Sequence, residues 1–330
     1  MAPRSNSRAA PAGPSPFAVE AAPLPQGKFA DPLVTADGSA RAQVALERLD
    51  TLWFNTGTLC NLACANCYID SSPTNDALVY LTAAEAARFL DEIAASGQDV
   101  REIGFTGGEP FMNPDVIAMI DDALGRGHEV LVLTNAMKPM RRHEAALLAL
   151  RERFGARLTL RVSIDHYTKG VHEAERGPKS WMPMLDGLTW LASHAFSMAV
   201  AGRHLASESE AEARSGYAAL FAEHGIPVAA SDPARLVLFP EMDAAADIAE
   251  ITEACWGILG KSPSEVMCAT SRMVVRRKGE GMPRVVACTL LPYDSGFDLG
   301  ATLAEASGTV ALNHPHCARF CVLGGASCSA

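Results

Sequence analysis

The 330-residue sequence contains no apolar run approaching the roughly 18 residues that a membrane span needs, so a transmembrane helix is not expected. Its Ala- and Pro-rich start, MAPRSNSRAAPAGPSPF, lacks the continuous apolar stretch of a secretory signal, and the chain reads as cytoplasmic. Positive charge is also scarce. With 28 Lys and Arg against 38 Asp and Glu, the formal net charge is -10, and nothing in that balance attracts phosphate backbones or anionic lipid. Neither nucleic acid nor membrane is an expected partner. Nine cysteines are too few to staple a chain of this length as a disulfide scaffold.

What is present is ordinary globular material, 48% hydrophobic and 20% charged, enough for one large domain or two unequal ones. Residues 1–45 are rich in Ala, Pro, Ser and Gly with little apolar periodicity, and their first half is expected to be disordered. From Thr51 apolar strand patterns alternate with helical ones. TLWFN, REIGFTG, EVLVLTN, RLTLRVSID, FSMAVAGR and ARLVLFP read as six strands, separated by segments with apolar residues at helical spacing. Such alternation predicts an α/β fold, a partial (β/α)6 TIM-type barrel over residues 46–240 with ligands at the carboxyl ends of the strands. After residue 240 the rhythm changes to a helix or two and a hairpin, SRMVVRRKGEGMPRVVACTLL, turning at Gly279 and Gly281. Residues 241–330 therefore read as a small cysteine-rich α+β module.

The cysteines are unevenly placed. Cys60, Cys64 and Cys67 form a C-x3-C-x2-C array directly after the first strand, five more lie between 268 and 328, and Cys255 in TEACWGIL reads as an isolated core residue. Soft thiolates select zinc, copper(I) or iron-sulfur clusters. A structural zinc site wants four protein ligands, and no fourth Cys or His lies near the first trio, so one metal position is left open.

Together with TGGEP after the second strand, this array resembles the radical S-adenosylmethionine (SAM) superfamily over residues 51–240. The resemblance implies a [4Fe-4S] cluster held by Cys60, Cys64 and Cys67, with SAM chelating the open iron and an electron cleaving it to a 5'-deoxyadenosyl radical that abstracts substrate hydrogen. It also implies a flavodoxin- or ferredoxin-type electron donor. Gly107 and Gly108 are expected to let a ligand approach the backbone, and Glu109 to complement the SAM ammonium. Thr134 and Asn135 end the third strand and Ser163 and Asp165 the fourth. The stretch VHEAERG supplies His172 and Arg176, the latter matching a carboxylate-binding arginine of the family but standing in what reads as a charged loop. One position that is usually aromatic in the family is Asn66.

The late thiols, Cys268 and Cys288 flanking the hairpin and Cys317 and Cys321 in HCARFC, resemble the auxiliary-cluster modules of the twitch and SPASM subgroups. They imply a second [4Fe-4S] cluster, with Cys328 in reserve. A four-thiolate zinc site, with His314 and His316 as further candidates, is the alternative. A fully ligated second cluster suits electron transfer and hence oxidoreductase chemistry. His166, Tyr167, Arg203, His204, Asp232 and Arg235 fall near strand ends without assigned roles. Only about 45 loosely patterned residues precede the barrel, where peptide-modifying relatives carry a leader-binding domain, so a small-molecule substrate is expected, with a peptide or protein maturase, or an iron-sulfur electron carrier or sensor, as the alternatives.

Overall fold

A computed structural model of the chain describes residues 13–325. Cys328 lies outside them. The six expected strands are β2 (Thr51–Asn55), β3 (Glu102–Thr106), β4 (Glu129–Thr134), β5 (Leu158–Ser163), β6 (Ser197–Gly202) and β7 (Leu236–Leu238), all parallel and adjacent in chain order. They are preceded by β1 (Gln43–Val44). Helices α1 (Ala83–Ser96), α2 (Val116–Gly125), α3 (Lys138–Arg141), α4 (Glu144–Phe154), α5 (Lys169–Arg176), α6 (Trp181–Ser193) and α7 (Glu210–His224) fill the crossovers. The result is the partial (β/α)6 barrel with a small C-terminal cysteine-rich α+β module.

The local signals are those the physics requires. Capping boxes start α1 (Thr82 with Glu85) and α7 (Ser209 with Glu212), and each of the two helices ends on a left-handed glycine, Gly97 and Gly225. Along β2, alternate residues serve two cores: Leu52 and Phe54 join the helix-facing cluster, whereas Trp53 joins the cluster shared with the C-terminal module. Gly104 on β3 gives the Trp53 ring room, since a Cβ there would sit 2.3 Å from it.

The C-terminal hairpin does not stand apart. Strand β8 (Ser271–Val275) pairs parallel with β2, β9 (Arg284–Val286) returns antiparallel to β8, and β10 (Asp298–Gly300) extends the same nine-stranded sheet. A short helix α8 (Cys255–Leu259) precedes them, and β11 (Val310–Ala311) pairs with β1. Residues 13–45, expected to contribute little to a core, are tied down by distant partners. Phe17 is 2% exposed, Arg41 forms a buried ion pair with Glu250 at 2.5 Å, and Ala42 N–H donates to the Ile251 carbonyl. Those partners lie some two hundred residues away, where local periodicity carries no trace of them. Among the described residues no helix is long and apolar enough to cross a membrane.

Candidate functional site

The β2–β3 register sets Asn55 opposite Thr106, so the loop after β2 and the loop after β3 leave the sheet side by side. The first carries the cysteine trio. Its backbone is anchored by Thr58 N–H to the Leu78 carbonyl and Cys60 N–H to the Ser72 carbonyl, and the N–H groups of Leu62 and Ser71 point at the sulfurs of Cys60 and Cys67. All three thiols line one cavity of about 190 Å³ at the carboxyl ends of the strands. They stand close enough for Cys64 to feel the charge of both others. Burial pushes the Cys60 thiol up to about 12 and raises Cys64 as well, so these are neutral thiols until a cation compensates the thiolate.

Gly107 and Gly108 also line the cavity, but what their missing side chains admit is the neighbouring loop. A Cβ on Gly108 would lie 2.2 Å from the Leu59 carbonyl oxygen, and one on Gly107 would lie 2.6 Å from that of Gly57. Gly108 N–H and Glu109 N–H donate to the Gly57 and Leu59 carbonyls at 2.7 and 3.1 Å. The glycines thus lock the start of the cysteine loop against β3. Glu109, expected to face a ligand ammonium, is 1% exposed and sits behind the groove. Its carboxylate accepts from Thr134 Oγ1 (2.8 Å), Phe111 N–H (3.2 Å) and Asn135 N–H (2.8 Å). Burial nonetheless raises its pKa to about 7, the three hydrogen bonds opposing.

Asn135, Ser163 and Arg176 do reach the cavity. The Asn135 amide donates to Asn61 Oδ1 at 2.9 Å and lies 3.9 Å from the Cys60 sulfur. Arg176 is not a solvated loop residue. It ends helix α5, and its Nε holds Asp165 at 2.5 Å. Burial alone would raise the Asp165 pKa, but Arg176 and Arg203 outweigh it and hold the carboxyl near 2. One turn earlier, His172 is fully buried with no hydrogen-bond partner on either ring nitrogen, and burial together with Arg176 lowers it to about 3.

Of the six unassigned polar residues, only Arg203 lines the cavity. It bonds Glu241 (2.8 Å) and the Asn66 carbonyl (3.2 Å), and its guanidinium lies over the rings of Tyr68 and Phe17. The Asn66 amide reaches Glu241 and the Met242 carbonyl, while Glu175 accepts from Asn66 N–H. Glu175 and Glu241 were invisible as site residues because charged residues on a helix end or loop look solvated in sequence. His166 packs beside Phe17, Tyr167 bonds Glu208, His204 meets nearby backbone carbonyls, Asp232 accepts from Ala234 N–H, and Arg235 bonds Ser197 and the Met198 carbonyl. Those five do not line the cavity.

The late thiols gather in the C-terminal lobe. Cys268 and Cys317 belong to its apolar cluster, against which Cys288, Cys321 and also Cys255 pack, and Cys317 feels the charge of Cys268 and Cys288. Cys255 is half-buried, with Thr252 bonded to its sulfur. Thr289 and Leu290, next to Cys288, and Phe320, next to Cys321, line the far wall of the same cavity as the first trio.

The model of the radical SAM superfamily matches residues 54–205. The subtilosin biosynthesis protein AlbA of Bacillus subtilis (strain 168) is 31% identical over 143 residues, covering 43% of this chain and 30% of AlbA. Streptococcus suis SuiB bound to SAM superposes with a TM-score of 0.55 at 12% identity, over 77% of this chain and 64% of SuiB, and anSMEcpe with bound SAM gives 0.53 at 15%, over 78% and 76%. The chain thus spans less than a third of AlbA and under two thirds of SuiB, whose likeness is one of fold. This match falls on the strands and loops that assemble the cavity, so residues 54–205 are a radical SAM domain, of the superfamily whose members use a [4Fe-4S] cluster and SAM.

Proposed function

We propose that this protein is a radical SAM oxidoreductase that modifies a side chain of a peptide or protein, with Cys60, Cys64 and Cys67 holding the SAM-binding cluster and Cys268, Cys288, Cys317 and Cys321 a second one. The observation that carries the reading is the single cavity onto which the first trio and the chain neighbours of the late cysteines both open. The donor sets fit the groups. Three soft thiols leave one iron for SAM, and four saturate a second cluster.

Bound there, the cluster and SAM supply a radical able to abstract hydrogen. The chain's own residues bind and exclude. Arg176 and Ser163 line the cavity and would hold the SAM carboxylate, Asn135 stands beside the Cys60 sulfur, and the Gly107–Gly108 packing fixes the cysteine loop. The charged groups Asp165, Arg176 and Arg203 are bound to one another or to Glu241. Tyr68, Phe239, Leu290 and Phe320 add apolar lining, which suits an uncharged side chain. Support for a peptide comes from AlbA, a bacteriocin biosynthesis protein, and from SuiB, whose structure is also known bound to its precursor peptide SuiA. A flavodoxin- or ferredoxin-type protein supplies the electron in this reading.

Peptide and small-molecule substrates separate experimentally. Reduced, SAM-loaded enzyme is incubated with a deuterated peptide pool or with a deuterated metabolite fraction, and deuterium in 5'-deoxyadenosine is measured by mass spectrometry. Transfer from the peptides is expected. Transfer from the metabolites alone would overturn the peptide reading.

A further inference from the structure

Among the described residues, the other buried arginines each come with a carboxylate. Arg41 has Glu250, Arg203 has Glu241, and Arg161 acts on Glu102. Arg272, on β8 and 1% exposed, is different. Its Nε donates to the Ala306 carbonyl (2.8 Å), Nη1 to those of Cys268 (2.6 Å) and Ser271 (2.8 Å), and Nη2 to that of Gly308 (3.0 Å). Four carbonyl dipoles satisfy its donors but contribute no full negative charge, and a cation withdrawn from water without one is strongly disfavoured. The guanidinium thus sits against Cys268, whose carbonyl accepts from Nη1 and which is itself 7% exposed.

A neutral thiol does not balance that cation, whereas a thiolate does. We propose that Arg272 is the built-in counter-cation of a metal-ligated Cys268 thiolate, and that its fixed charge helps set the reduction potential of the second iron-sulfur centre. The inference rests on the two-cluster reading and adds a positioning and tuning residue to it. When iron binds, the Cys268 S–H bond breaks, the proton leaves to solvent, and the S–Fe bond retains the negative charge facing Arg272. A positive charge hydrogen-bonded to the backbone of a ligand residue stabilises the reduced, more negative state of a cluster and so raises its potential. The hydrogen bond to the Cys268 carbonyl, anchored in the sheet through β8, keeps that charge at a fixed distance from the ligand.

The test uses the full chain, reconstituted anaerobically, as wild type, Arg272→Met, Arg272→Lys and Cys268→Ser. Iron and sulfide are quantified, and the potentials of both centres are read by EPR-monitored titration. Wild type should hold about eight irons, and C268S about four. R272M should shift the second centre to a more negative potential and leave the first unmoved, with R272K returning towards wild type. Should R272M fail to hold the second centre while R272K holds it, the need for the charge is equally supported. Unchanged potential in an iron-replete R272M, equal loss in R272M and R272K, or full iron in C268S would overturn the proposal. Four irons in wild type would instead overturn the two-cluster reading itself.

Discussion

Arg203 donates from Nη2 to the backbone carbonyl of Asn66 at 3.2 Å, one residue ahead of Cys67. Through this contact the end of β6 grips the cysteine loop, and Glu241 completes the grip by binding both the Arg203 guanidinium and the Asn66 amide. Three elements distant in sequence therefore fix where the third thiol stands. Arg203→Ala leaves Glu241 and the buried Glu175 without their cation and should cost about 3–5 kcal/mol, with Arg203→Lys costing less. Iron bound per chain after reconstitution, with urea unfolding alongside, checks this. Wild-type iron content and stability in R203A would contradict it.

The Asp165–Arg176 pair ties α5 to the end of β5, and its pH dependence has a definite sign. Asp165 is held below its ordinary 3.8, near 2, so the folded state binds its proton less readily than the unfolded one. The pair's contribution, about 2 kcal/mol, is complete above roughly pH 4 and is lost as pH falls towards 2. Asp165→Asn should remove that acid limb. It should also destabilise the neutral-pH protein, because Arg176 keeps its charge without its partner.

His172 acts at milder pH. Burial and Arg176 depress its pKa from 6.5 to about 3, so the folded state keeps it neutral where the unfolded chain would protonate it. Stability is present above 6.5 and declines as pH falls below it, by roughly 0.7 kcal/mol between pH 7 and 6. Denaturation midpoints of wild type and His172→Leu, measured at both values, should differ in slope. Parallel slopes would show that His172 is not the group responsible.

Gly108→Ala should be far more damaging than an alanine usually is. Its Cβ would meet the Leu59 carbonyl oxygen at 2.2 Å, where backbone and not a flexible side chain must yield. A loss of roughly 2–4 kcal/mol, together with weakened iron loading, is expected. Gly281→Ala, in open space on the hairpin, is the control and should be silent.

Much of this was legible before any coordinates. Strands β2–β7 announced themselves by apolar runs between helical segments. The trio Cys60, Cys64 and Cys67 was readable because ligand spacing is a local property. Helix α5 was harder, because KGVHEAER has almost no apolar side chain, and the residues it buries are His172 and Glu175. A second role of Gly107 and Gly108, the packing of the chain itself from fifty residues upstream, was not legible because it is set by tertiary contact. Glu109 looked like a ligand-facing carboxylate, and only the fold shows that Thr134, Asn135 and Phe111 occupy it. Phe17 and Arg41 lie in a segment of disorder-like composition, and their partners are set by tertiary contact alone.

The central claim is that Cys60, Cys64 and Cys67 hold a cluster that presents SAM for reductive cleavage. Its most direct test is to reconstitute the chain anaerobically, reduce it with dithionite, add SAM and quantify 5'-deoxyadenosine and methionine by chromatography. The two products are predicted to form in equal amounts in wild type and to be lost in a variant with all three cysteines replaced by alanine. No 5'-deoxyadenosine from a wild-type sample carrying an intact, reduced cluster would contradict the account.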